Sequence, residues 1–160
     1  MNNYRIPYKS ILVVCSVNTA RSPMAEGFLK DFFSKNNLNI KVNSCGIASN
    51  ARDGMLISLD AKLAMKEIGI ELPNNSVSID LKKHLDLLTD VDLILTFTEN
   101  HKKEIMKLTT IDGKEIFTLK EFAGESGDIE DPSMKGIKGF RKIRDEIKKY
   151  IYKGLKKFSY

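Results

Sequence analysis

Cysteine is scarce in this chain of 160 residues, which has only Cys15 and Cys45. Two thiols cannot build the disulfide framework of a small secreted domain, and they suit a reducing compartment. Long apolar runs are missing too: none approaches the ~20 residues needed to span a bilayer. The opening stretch MNNYRIPYKS carries no apolar signal region, so a cytoplasmic location is expected. Histidine is limited to His84 and His101. Both fall on expected helices away from the motif below and read as surface or capping residues. Repeats, linkers and low-complexity segments are absent, and the length suits one domain over residues 1–160 with a real core.

Charge of either sign is not extreme: the formal net charge is +5, and charged residues make up 29%. The basic excess gathers near the end, with ten Lys and Arg from Lys135 to Lys157 against Asp145 and Glu146. Such a stripe can bind nucleic acid or acidic lipid. However, Phe140, Ile143, Ile147, Tyr150 and Ile151 recur at helical spacing, so the charges read as the wet face of an amphipathic helix. Neither a nucleic-acid nor a membrane partner is expected, and the assembly expected is a monomer or weak dimer.

What is present alternates strand with helix. Apolar β-branched runs predict strands at about 9–15, 39–45, 91–97 and 115–118. Helices are expected at about 23–35 (with Ser22 as N-cap), 58–68, 81–88, 99–108 (capped by Thr98), a short turn over 119–122, and 138–156. Residues 123–137 form a long loop holding glycines and Pro132. Alternation of this kind implies an α/β fold with parallel strands and helices on both faces. Ligands in such folds sit at the carboxyl ends of the strands, near a reversal of strand order.

Residues 10–26 read SILVVCSVNTARSPMAE. The run Ile11–Val14 delivers Cys15 to the end of the first strand, and Arg21 follows after five intervening residues, just before Ser22 and Pro23. A loop between strand and helix turns backbone N–H groups inward as an anion nest, and the helix N-terminus adds its positive end. Arg21 supplies a planar fork for two phosphate oxygens. The same positive field favours a thiolate at Cys15. These parts suit attack on phosphorus through a cysteinyl-phosphate, with the charge held by the loop itself, so no metal and no cofactor is expected.

A leaving group also needs a proton. Asp131, stiffened by Pro132 in the loop DIEDPSMKG, is the candidate, with Asp128 and Glu130 as competing carboxylates. A bound phosphate dianion would help Asp131 keep its proton.

The chain resembles the low-molecular-weight protein tyrosine phosphatases along almost its full length. The resemblance rests on CSVNTARSP (15–23), MAEG (24–27), DLILTFTENH (92–101), FTLKEF (117–122) and the pair Asp131–Pro132. It implies a three-layer α/β/α fold with a four-stranded parallel sheet. It also implies Cys15 as nucleophile, Arg21 as phosphoryl ligand and Asp131 as general acid and base. Ser22 would donate to the thiolate, Asn18 would hold the loop in its strained shape, and the amides of Ser16, Val17, Asn18, Thr19, Ala20 and Arg21 would line the cup. The implied ligands are a phosphorylated protein or peptide and inorganic phosphate or a similar oxyanion.

Six residues mark departures from the usual family pattern. Val17 stands where glycine is usual, so either the backbone stays β-like or the cup is reshaped. Ala20 replaces a frequent second cysteine, which leaves Cys15 less guarded against overoxidation. Ser133 replaces an aromatic wall residue. Asn74 and Asn75 occupy the region where many relatives carry a histidine, which removes a support for Asn18. Thr19 replaces an apolar residue and matches relatives that act on phosphoarginine; FTLKEF and DIEDP also look like the bacterial branch that includes protein arginine phosphatases. The expectations are a protein tyrosine phosphatase first and a protein arginine phosphatase as the close alternative. A thiol-dependent arsenate reductase and a non-catalytic phosphate-binding module follow, and the reductase is set back by Cys45, here read as a small buried hydrophobe, being the only second thiol.

Overall fold

The computed structural model describes residues 3–110 and 112–160. Four strands, β1 (Ser10–Cys15), β2 (Lys41–Gly46), β3 (Leu93–Thr96) and β4 (Glu115–Thr118), form one sheet in the order β2-β1-β3-β4. Every pairing is parallel, with Cys15 opposite Gly46, Val14 opposite Thr96, and Thr96 opposite Thr118. The helices are α1 (Arg21–Lys35), α2 (Leu59–Lys66), α3 (Glu99–Leu108), α4 (Leu119–Phe122) and α5 (Gly136–Lys156).

Alternation along β1 explains the two faces. Ile11 and Val13 join Phe28, Leu29, Met65, Ile143 and Ile147 in one buried cluster, so α1, α2 and α5 cover that side. Leu12 and Val14 join Ile94, Ile105 and Ile116 in the other, which places α3 on the opposite side. Successive strand side chains point to opposite faces, and both faces here are apolar, as a sheet sandwiched by helices requires. The three-layer α/β/α architecture follows.

Local chemistry sets the ends. Thr118 and Glu121 form a reciprocal capping box at α4, and the Thr98 hydroxyl accepts from His101 N at 3.0 Å at the start of α3. The helix expected over 81–88 is instead two 3₁₀ turns, Leu81–Lys83 and Leu85–Leu88. Leu81 and Leu88 are buried there while Leu85 is exposed, so no helical stripe demands continuous turns. The apolar positions named on α5 are all buried. Among the described residues, no helix is long and apolar enough to cross a membrane.

Candidate active site

From β1 the chain passes to β2 on one side and later to β3 on the other, so the reversal of strand order falls beside β1. Cys15 ends that strand. It is 2% exposed. The loop that follows folds back on it: Asn18 N donates to Cys15 Sγ at 3.3 Å, and Ser22 Oγ lies 2.9 Å from the same sulfur.

Ser22 does not cap α1 as expected. The helix begins at Arg21, its N-cap position is Ala20, and no side chain caps it. The Ser22 hydroxyl is turned inward to the sulfur because Asn18 Nδ2 donates to it at 2.7 Å. With its oxygen accepting from Asn18, Ser22 has its hydrogen free for Cys15.

Asn18 carries the strain of the loop, with φ of 63°. Asparagine tolerates this left-handed region better than other side chains do. Its side chain is fully engaged: Oδ1 accepts from Ile79 N at 2.9 Å, and Nδ2 donates to Ser22 and to Ser44 Oγ at 2.9 Å. Ser44 passes its own hydrogen to Glu26. The support absent at Asn74 and Asn75 is thus supplied by Ser44 and the backbone of Ile79. Val17 does not use the conformational freedom of glycine: among described non-glycine residues only Asn18, Asn37 and Met134 have positive φ, so Val17 stays outside the left-handed region. Gly46 makes room on β2, where an added Cβ would lie 2.7 Å from Ser16 O and 2.9 Å from Val17 C.

Arg21 is 5% exposed. Its Nη1 donates to Ile129 O at 2.7 Å and its Nη2 to Ser16 Oγ at 3.2 Å. The Phe97 ring lies 5.8 Å below its guanidinium. Two of five N–H donors are engaged by these bonds, and three remain for a ligand. Ile129 N donates to Phe97 O at 2.8 Å, which ties the long loop to the end of β3. Two residues later comes Asp131.

Asp131 shares a small cleft with Cys15, Ser16, Val17, Thr19, Ala20, Arg21 and Ser133. Its competitors are engaged elsewhere: Asp128 accepts from Glu99 N at 2.9 Å, and Glu130 pairs with Lys135 at 2.6 Å. Burial opposes ionisation of Asp131, but bonds from Ser133 and the charge of Arg21 outweigh it and hold its carboxyl below the usual value. The protein's own groups therefore favour its ionised form. Size does not mark the site, since a cavity of about 310 Å³ beside α1, lined by Pro23, Ile57 and Leu72 together with the carboxylates of Glu26, Asp31 and Glu71, holds neither a cysteine nor an arginine.

His101 corrects the expectation that both histidines lie away from the motif. Its ring is buried, and Nε2 lies 2.8 Å from Ser16 Oγ. Burial and then Arg21 push its pKa down to about 4, against the opposite pull of Asp128 and Asp131. Linear spacing hid this; the signal was topology, because β3 pairs with β1 and therefore sets the first turn of α3 beside the loop. His84 does lie apart, 2.8 Å from Asp53 at the surface. Cys45 is fully buried on β2, and burial pushes its thiol up.

The model of the low molecular weight phosphotyrosine protein phosphatase family matches residues 10–159. A protein-arginine-phosphatase of Geobacillus stearothermophilus is 38% identical over 147 residues, covering 91% of this chain and 93% of its own. A low molecular weight protein-tyrosine-phosphatase of Staphylococcus haemolyticus is 33% identical over 137 residues, 86% of this chain and 91% of its own. The crystal structure of a low molecular weight protein tyrosine phosphatase from T. tengcongensis superposes with a TM-score of 0.83 at 31% identity, covering 92% of this chain and 98% of that one. The chain belongs to the low molecular weight phosphotyrosine protein phosphatase family.

Proposed function

We propose that residues 1–160 are one catalytic domain that dephosphorylates proteins through a cysteinyl-phosphate at Cys15, with phosphoarginine preferred over phosphotyrosine. One observation carries the reading: the Cys15 sulfur receives donors from Ser22 and Asn18 inside a cleft that Arg21 and Asp131 also line. In the first step the sulfur attacks phosphorus, the P–N or P–O bond to the side chain breaks, and the Asp131 proton goes to the leaving atom. In the second, Asp131 takes a proton from water, whose oxygen attacks phosphorus and frees the sulfur. Arg21, the amides from Ser16 to Arg21 and the N-terminus of α1 carry the charge on the transferring group.

The substrate preference departs from the order expected from the residues alone. Among the described residues the cleft is lined by Ser133 and Thr19 and by no aromatic side chain, so a phenol finds no ring to stack on, whereas a polar guanidine meets hydroxyls. Thr19 is fixed at the wall because its carbonyl accepts from Ser58 N at 2.9 Å. Phosphotyrosine is the second reading, favoured by the name of the Staphylococcus relative. Arsenate reduction lacks support here, because the remaining thiol, Cys45, is sealed in the sheet. The mechanism needs Cys15 reduced, which suits the cytoplasm.

The experiment is a comparison of kcat/KM for matched phosphoarginine and phosphotyrosine peptides. The wild type is expected to favour phosphoarginine by about tenfold, a difference of about 1.4 kcal/mol in transition-state binding, and Thr19→Ile to shift the ratio toward phosphotyrosine. A wild-type preference for phosphotyrosine, or a ratio unmoved by Thr19→Ile, contradicts the assignment.

A further inference from the structure

The hydroxyl of Ser16 has a hydrogen-bonding arrangement that the family's backbone cup does not require. Its Oγ lies 2.8 Å from His101 Nε2 and accepts from Arg21 Nη2 at 3.2 Å. The other ring nitrogen, His101 Nδ1, is buried with no partner among the described residues. A neutral imidazole carries one N–H. Placed on Nδ1, that hydrogen would be an orphaned buried donor; placed on Nε2, it is used by Ser16 and leaves only a bare lone pair behind. The network therefore assigns the Nε2–H form. Burial and Arg21 keep the ring neutral near physiological pH, outweighing Asp128 and Asp131.

Two N–H groups then fill both lone pairs of the Ser16 oxygen, and its own hydrogen can go to neither donor. Ser16 lines the cleft with Cys15, Arg21 and Asp131. We propose that the Ser16 hydroxyl is an additional donor to the transferring phosphoryl group, and that His101 is the positioning residue that turns it there. The inference rests on the phosphatase reading and adds a side-chain donor to the ring of amides.

The test uses the purified protein with a generic aryl phosphate, and vanadate as a competing oxyanion. Ser16→Ala is expected to lower kcat about tenfold and weaken vanadate by a similar factor, with KM moving less. Ser16→Thr, which keeps a hydroxyl, recovers most of the loss. His101→Leu shows a comparable loss alone but less than about twofold when Ser16 is already alanine, because its effect passes through that hydroxyl. Wild-type kcat and vanadate affinity in Ser16→Ala would overturn the proposal. So would an undiminished His101→Leu loss in the alanine background, which would make His101 a support of the fold only. Should His101→Leu fail to fold, the Ser16→Ala and Ser16→Thr pair decides alone. A wild type inert toward the aryl phosphate sinks the phosphatase reading itself, and this inference with it.

Discussion

Asn18 joins three segments far apart in the chain. Its amide reaches Ser22 on α1, Ser44 on β2 and the backbone of Ile79, and these bonds fix which way each hydroxyl points. The direction ends at Cys15, where Ser22 has a hydrogen to give. Asn18→Ala leaves the Ile79 N–H unpaired and puts a Cβ-bearing residue without a local polar partner at φ of 63°. The expected cost is roughly 3 kcal/mol in urea unfolding, from lost bonds and left-handed strain. A fall of at least about tenfold in kcat should accompany it, since the Ser22 hydroxyl is released. Unchanged stability and rate would refute the wiring. The cleft that Cys15 and Arg21 share is legible in the sequence from the strand, the five-residue spacing and the helix start, whereas Asp131 stands out from Asp128 and Glu130 only through the family resemblance. Ser22 is misread as a cap because a serine before a proline looks the same whether its hydroxyl faces a helix amide or a sulfur.

At the level of elements, the loop is held between strand ends. Ile47 N donates to Cys15 O at 3.0 Å, and Ala48 N donates to Ser16 O at 3.0 Å, so the chain leaving β2 continues the ladder alongside the loop. Gly46 permits this approach. Gly46→Ala is expected to push Ser16 and Val17 outward, because backbone atoms at 2.7 and 2.9 Å from the new Cβ cannot yield as a flexible side chain would. Inhibition by inorganic phosphate should weaken about tenfold or more, with a lowered melting temperature; phosphate affinity equal to wild type would contradict the packing. The element order was readable from alternating patterns, with shifts at the ends of helices and strands. The 81–88 segment was not, because its leucines suggest a helix while burial selects only two of them.

For the whole molecule, the sheet order converts sequence distance into proximity. Cys15 from the end of β1, His101 from the helix that follows β3, and Ile129, tied to the end of β3, meet beside the reversal at β1. His101 then links the site to acid stability. Its folded pKa is lowered from 6.5 to about 4, so the unfolded chain takes up the proton first as the pH falls. The stabilising difference is fully present above about 6.5 and is lost progressively toward about 4, up to roughly 3 kcal/mol. Chemical denaturation of wild type against His101→Gln should show the gap narrowing across that window. A gap independent of pH would mean that the ring is not held neutral. The basic stripe of α5 is partly consumed internally, through Arg141 with Glu67 and Lys153 with Glu125, in keeping with a solvated helix face.

The central claim is that the sulfur of Cys15 takes the phosphoryl group. Asp131→Ala should retain attack on an aryl phosphate with a good leaving group but lose the base that activates water, so the intermediate accumulates. Mass spectrometry of the acid-quenched variant should find one phosphoryl group on the peptide containing Cys15, and none when Cys15→Ala is added. Turnover with no phosphoryl group on that peptide, or with the group on another residue, would contradict the account.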